Sequence, residues 1–170
     1  MSNSDQTRSS LKQLHQALGI PSDYAANCAL PLCLEPSALV DTELDFYQRR
    51  QKLTPTAFSA WSRMREAATS QGISLFLISA FRGYQYQHDL IARKLEKGQP
   101  IESILRVNAA PGYSEHHSGR AVDIGTMDCD ALSESFGKTN AYQWLVDNSD
   151  GYGFSLSYPR DNPFGIDFEP

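Results

Sequence analysis

The sequence predicts an α+β fold, a small and mainly antiparallel sheet with helices packed on one side. Three observations carry that prediction. Ile73 to Ser79 is a short, strongly apolar run of strand length. Elsewhere apolar residues recur at helical spacing in segments of eight to fifteen residues. Glycine-containing turns separate these segments, so strands and helices share one layered unit.

Taken in order, Leu11, Leu14 and Leu18 mark a first helix that ends at Gly19 and Pro21. The passage through Leu30-Pro31-Leu32 and Glu35-Pro36-Ser37 reads as loop. Thr54-Pro55 opens a second helix, with Phe58, Trp61, Met64 and Ala68 on one face and an end at Gln71-Gly72. That aromatic stripe is core. The Ile73–Ser79 strand follows, then a helix from Gln87 to Lys97 that stops at Gly98. Ala141 to Asn148, with Tyr142, Leu145 and Val146, is a last helix before the Gly151-Tyr152-Gly153 turn. The division expected is an N-terminal helical arm and linker over 1–50, packed on a core over 51–170.

Composition narrows the function. At 170 residues the chain can bury a substantial core, and 41% apolar with 21% charged residues is ordinary for a globular domain. The net charge is −5 and the 15 Lys and Arg form no run, so nucleic acid is not an expected partner. No apolar stretch approaches the length of a membrane span. Residues 1–8 show neither a basic n-region nor an apolar h-region. The expectation is therefore a cytoplasmic protein, or a periplasmic one if a signal was removed. Cys28, Cys33 and Cys129 lack C-x-x-C spacing and suit free thiols better than a disulfide framework.

The segment Ser114-Glu115-His116-His117-Ser118-Gly119-Arg120-Ala121-Val122-Asp123 reads S-x-H-x-x-G-x-A-x-D. Gly112 and Ser118-Gly119 argue against an α-helix, so His116 is expected on a loop and Asp123 on the strand after it. A neutral imidazole and a carboxylate suit a catalytic Zn2+, which commonly takes three protein ligands and leaves a place for water. Taken alone, such a pair is more often a turn histidine and a solvated carboxylate.

With Ala110-Pro111-Gly112-Tyr113 before it, this segment resembles the signature of the VanY-type D-alanyl-D-alanine carboxypeptidases. They belong to a wider group of zinc peptidases that includes lysostaphin-like and Hedgehog-type domains. Ser79-Ala80-Phe81-Arg82-Gly83-Tyr84-Gln85-Tyr86-Gln87 resembles the family's S-x-[YF]-R-[SG]-Y-x-x-Q block. Gly151-Tyr152-Gly153-Phe154, Tyr158-Pro159 and Gly165-Ile166-Asp167-Phe168-Glu169-Pro170 resemble its closing run. The resemblance implies His116 and Asp123 as zinc ligands and Glu169 as the catalytic carboxylate. It also places Arg82 beside the metal and the scissile carbonyl, with Gln87 and Ser114 holding the peptide. In the family the closing run continues E-P-W-H-W and supplies the third ligand, whereas this sequence stops at Pro170. The third ligand is expected just beyond it.

The chemistry follows from the residue types. Zinc brings the pKa of a bound water to near 7, and a carboxylate such as Glu169 can take its proton and pass it to the leaving amine. A fixed guanidinium, Arg82, can stabilise charge developing on the carbonyl oxygen. Within the family this implies release of terminal D-alanine from peptidoglycan stem peptides. The preferred expectation is L,D-cleavage of tetrapeptide muropeptides in cytoplasmic recycling. D,D-cleavage of pentapeptides or precursors, and a catalytically inactive muropeptide-binding module, are the alternatives.

Overall fold

The computed structural model describes residues 3–164 and shows an α+β architecture. Helices α1 (Asn3–Ala17), α2 (Tyr24–Asn27), α3 (Pro55–Ser70), α4 (Tyr84–Glu96), α5 (Ile101–Leu105) and α6 (Asn140–Asn148) accompany four short strands. These are β1 (Val40–Leu44), β2 (Arg50–Leu53), β3 (Phe76–Ser79) and β4 (Asp123–Gly125). Instead of the one sheet the sequence predicts, they form two antiparallel ribbons, β1–β2 and β3–β4. Isolated bonds link the ribbons: Phe46 N–H donates to Leu77 C=O (2.8 Å) and Phe81 N–H to Lys52 C=O (3.0 Å).

Local chemistry explains most boundaries. The Thr54 side chain accepts from Ala57 N–H and Pro55 occupies the first turn, where its missing N–H costs nothing. Helix α3 then buries Ala57, Trp61, Met64 and Ala68, and the chain leaves it through Gly72 at φ +77°. Trp61 and Met64 pack with Leu53, Leu75, Leu77, Phe136 and Trp144 in the main core. A second core joins Leu18 and Ile20 to Ile91, Ile104 and Ala110, which seats the N-terminal helix on the domain. The helix expected from Gln87 begins three residues earlier, because the Glu35 carboxylate, distant in sequence, accepts the Tyr84 N–H (2.6 Å). Within the described residues no helix is long and apolar enough to cross a membrane.

The β1–β2 hairpin lies where the sequence reads as linker, and Asp45 makes it possible. Its carboxylate is 2% exposed. It accepts from the backbone N–H groups of Tyr47 (2.9 Å) and Arg49 (2.9 Å), from Arg49 Nε (2.8 Å) and from Gln51 Nε2 (2.7 Å). Arg49 also donates to Ile78 C=O (2.7 Å), and Gln51 Oε1 accepts the Ala80 N–H (3.1 Å). The turn is thereby fastened to β3, the strand that leads into Arg82. Burial alone would raise the Asp45 carboxyl. The bonds from Arg49 and Gln51, with the Arg49 charge, outweigh it and hold the group below its usual range.

Asp45→Ala strands the Arg49 guanidinium and two turn N–H groups, and is expected to cost about 3–5 kcal/mol in urea unfolding at pH 7. A carboxyl with a depressed folded pKa stabilises fully above its unfolded value of about 4 and loses that contribution as pH falls through the folded value. The gap between wild type and variant should therefore narrow at pH 3. A gap that stays constant from pH 7 to pH 3 would show that the Asp45 charge is not what holds the turn.

Candidate active site

The site forms where β3 ends and the 114–125 segment crosses it. Within the loop expected to carry His116, Glu115–Ser118 make one 3-10 turn, closed by Gly119 at φ +64°. A side chain at Gly119 would be strained, and its Cβ would come within 2.9 Å of Leu39 Cδ2. The chain then enters β4 at Asp123, opposite Ser79. An irregularity in register between Leu77 and Ser79 lies beside this pair, a feature that re-aims side chains next to functional sites.

His116 and Asp123 meet. His116 is 4% exposed. Its Nδ1–H donates to the Ala80 carbonyl (2.6 Å), which turns the Nε2 lone pair toward Asp123 Oδ1, 3.2 Å away. Two electron-pair donors at that distance require a proton or a metal cation between them. The spacing fits the edge of a tetrahedron around an ion with bonds of about 2.0–2.1 Å. Arg82 holds the other carboxylate oxygen, Nη2 to Oδ2 at 3.2 Å. Burial opposes ionisation of Asp123, yet the His116 and Arg82 charges and the His116 hydrogen bond prevail and keep the carboxyl below its ordinary value. Among the described residues no third His, Cys, Asp or Glu joins this pair.

His117, absent from the predicted site, is its brace. Its Nδ1–H donates to the Arg82 carbonyl (2.5 Å), and its Nε2 accepts the Gly112 N–H (3.0 Å). Those two bonds fix a neutral tautomer. Burial, helped by the His116 and Arg82 charges and opposed by the Arg82 carbonyl, lowers its pKa to about 4. Tyr84 packs edge-on against the ring at 4.7 Å, while its hydroxyl donates to Cys33 C=O (2.9 Å). Both nitrogens of His117 are thus committed to the backbone. His88 belongs elsewhere, paired with Asp89 and Gln85 on α4.

The remaining predicted residues divide. Gln87 lies inside α4, 1% exposed. Its Nε2 braces Ala109 C=O (2.8 Å), while Oε1 has no hydrogen-bond partner among the described residues. Ser114 is buried just before the 3-10 turn, and its carbonyl accepts the His117 N–H (3.1 Å). Arg82 is half-buried, its backbone N–H donates to His116 C=O (3.3 Å), and its buried Nε lacks a partner among the described residues. Glu169 lies outside the described residues. Cys28, Cys33 and Cys129 are free thiols. A sequence signal for His117 did exist, since it sits inside the motif. Its pairing with the Arg82 carbonyl did not show, because 35 residues separate them.

His117→Leu keeps the bulk but leaves the Arg82 carbonyl and the Gly112 N–H buried and unpaired. Chemical denaturation should register a loss of roughly 2–4 kcal/mol. A loss under 0.5 kcal/mol would mean that water or a rearranged turn replaces both bonds.

Comparisons with known proteins give the family. The chain is 35% identical over 139 residues to the putative carboxypeptidase YodJ of Bacillus subtilis, covering 78% of this chain and 50% of that protein. The chain thus spans about half the length of that relative. The solved structure of the LdcB LD-carboxypeptidase superposes with a TM-score of 0.72 at 29% identity, over 82% of this chain and 68% of that one. A vancomycin-resistance D,D-pentapeptidase VanY, solved in complex with Zn(II), shares the fold with a TM-score of 0.58 at 23% identity, over 78% and 77% of the two chains. Residues 50–170 match the D-alanyl-D-alanine carboxypeptidase (VanY) family, and the chain belongs to that family.

Proposed function

We propose that this chain is a zinc-dependent carboxypeptidase that removes the terminal D-alanine from peptidoglycan stem peptides, cleaving tetrapeptides at the L,D bond. The observation that carries it is the convergence of His116 Nε2 and Asp123 Oδ1 at 3.2 Å, with Arg82 on the second carboxylate oxygen. Family membership and the Zn(II) in the VanY structure support the metal. Likeness to the LdcB LD-carboxypeptidase at 29% identity supports the L,D bond.

In this reading His116 and Asp123 would hold zinc, which when bound would supply Lewis acidity and bring a water's pKa toward neutrality. Ala80 orients the imidazole, and Arg82 keeps Asp123 ionised as a ligand must be. The Arg82 guanidinium, fixed against Asp123 Oδ2, is the group that stabilises charge on the carbonyl oxygen as the amide is attacked. Gln87 braces Ala109 C=O in the segment that leads into the 3-10 turn, and Ser114 borders that turn. Glu169 takes the proton of the attacking water and returns it to the departing D-alanine amine.

His116→Ala and Asp123→Ala should each remove most bound zinc, measured by metal analysis after dialysis. Glu169→Gln should keep zinc while kcat drops by on the order of 10² or more. Retention of stoichiometric zinc by either ligand variant would reject the assigned donor pair. For the substrate, full-length protein with zinc should convert a soluble tetrapeptide muropeptide to tripeptide plus D-alanine by mass spectrometry. Conversion of pentapeptide to tetrapeptide that goes no further would replace the L,D reading with the D,D one.

A further inference from the structure

A groove of about 900 Å3 opens at the end of the β3–β4 ribbon away from Asp123, a volume in the range of small-molecule sites. Residues 126–131, the chain leaving β4, form one wall, and Phe46 and Tyr47 on the β1–β2 turn form another. Arg82, His116 and Asp123 do not line it. Strand pairing relates the two places. Leu77 and Ile124 stand opposite each other and pack into the main core, so Phe76, Gly125 and Asp123 occupy the other face of the ribbon. Phe46 stands against Phe76, 6.3 Å between ring centroids, and continues that face into the groove. Thr126, the first residue of the opposite wall, is three residues past Asp123, about 10 Å along a strand.

The aromatic wall is exposed yet fixed. Asp45 accepts the Tyr47 N–H, the Arg49 guanidinium lies over the Tyr47 ring at 4.9 Å, and Phe46 stands edge-on to that ring at 5.2 Å. Rings held in place without being buried are a preorganised contact surface. Across from them Asp128 and Asp130 bring carboxylates, and Lys138 is the single cation among the described lining residues. A pyranose matches this lining. Its C–H face suits the negative face of an aromatic ring, and its hydroxyls donate strongly to carboxylates. We propose that the groove binds the amino sugar to which the stem peptide is attached, with the sugar ring on Tyr47 and its hydroxyls on Asp128 and Asp130. The inference rests on the carboxypeptidase reading, which sets the carbonyl of the third stem residue at the donor pair. Three extended residues, about 10 Å, then reach the amide that joins L-alanine to the sugar. The wall at Thr126 lies at the same distance from Asp123.

The test compares one tetrapeptide with and without its N-acetylmuramyl group, using full-length protein with zinc and following released D-alanine by mass spectrometry. In wild type the sugar should lower KM by about tenfold and leave kcat within about twofold, since it adds contacts away from the reacting atoms. Tyr47→Ala should bring the ratio of the two KM values to within about twofold. Asp128→Asn and Asp130→Asn keep the side-chain shape, so they test the groove even if the loss of the ring disturbs the turn, and each should reduce the ratio by several-fold. A wild-type ratio near one, or a ratio that survives all three substitutions, would overturn the assignment. So would a tetrapeptide carrying a second stem peptide in place of the sugar and having an equally low KM, which would give the groove to peptide. Calorimetric titration of the tripeptide with and without N-acetylmuramyl separates the two levels. Sugar-dependent binding that Tyr47→Ala abolishes, without D-alanine release from either tetrapeptide, supports the groove and rejects the carboxypeptidase reading. Release of D-alanine that is indifferent to the sugar does the reverse.

Discussion

The site depends on a backbone clamp between the exit of β3 and the 3-10 turn at 115–118. Ala80 C=O receives His116 Nδ1–H, Arg82 C=O receives His117 Nδ1–H, and Arg82 N–H returns to His116 C=O. Two adjacent histidines thus grip two carbonyls on either side of Phe81. Each buried carbonyl would cost on the order of 1–3 kcal/mol if left alone, so the crossing of these segments is fixed from both sides. The geometry of Arg82, His116 and Asp123 follows from that crossing.

Adjacent histidines have unlike tasks because their second nitrogens see different partners. His116 Nε2 faces a carboxylate, whereas His117 Nε2 faces the Gly112 N–H and is closed off. Burial favours the uncharged form of His117. At Asp123 burial presses toward neutrality, and the neighbouring His116 and Arg82 side chains reverse the outcome. The result is an ionised carboxylate in a largely enclosed place, a donor with high affinity for a cation.

The outer supports serve the same clamp. Asp45, Arg49 and Gln51 tie the β1–β2 turn to Ile78 and Ala80. Glu35 caps α4 and Tyr84 reaches back to Cys33, so the Leu30–Glu35 passage forms a brace for the site. This placement explains why a loop-like passage is held by polar bonds from a helix terminus. Its own backbone has no ladder, and each unsatisfied group must find a partner elsewhere.

The sequence by itself determined the pieces whose causes are local. The Thr54-Pro55 cap, the helical stripe of Trp61 and Met64, the apolar strand before Ser79, and the motif carrying His116, Gly119 and Asp123 were all legible, because capping, periodicity and turn chemistry act over a few residues. The motif spacing and the Arg82 block also carried the family. Only the tertiary structure decided the hairpin around Asp45, the earlier start of α4 and the bracing role of His117. It also decided the burial of Gln87 against Ala109. Each of these depends on a partner far along the chain, 49 residues from Glu35 to Tyr84 and 35 from His117 to Arg82. Such hydrogen bonds form wherever burial leaves a polar group without water, and sequence spacing records nothing of that pairing.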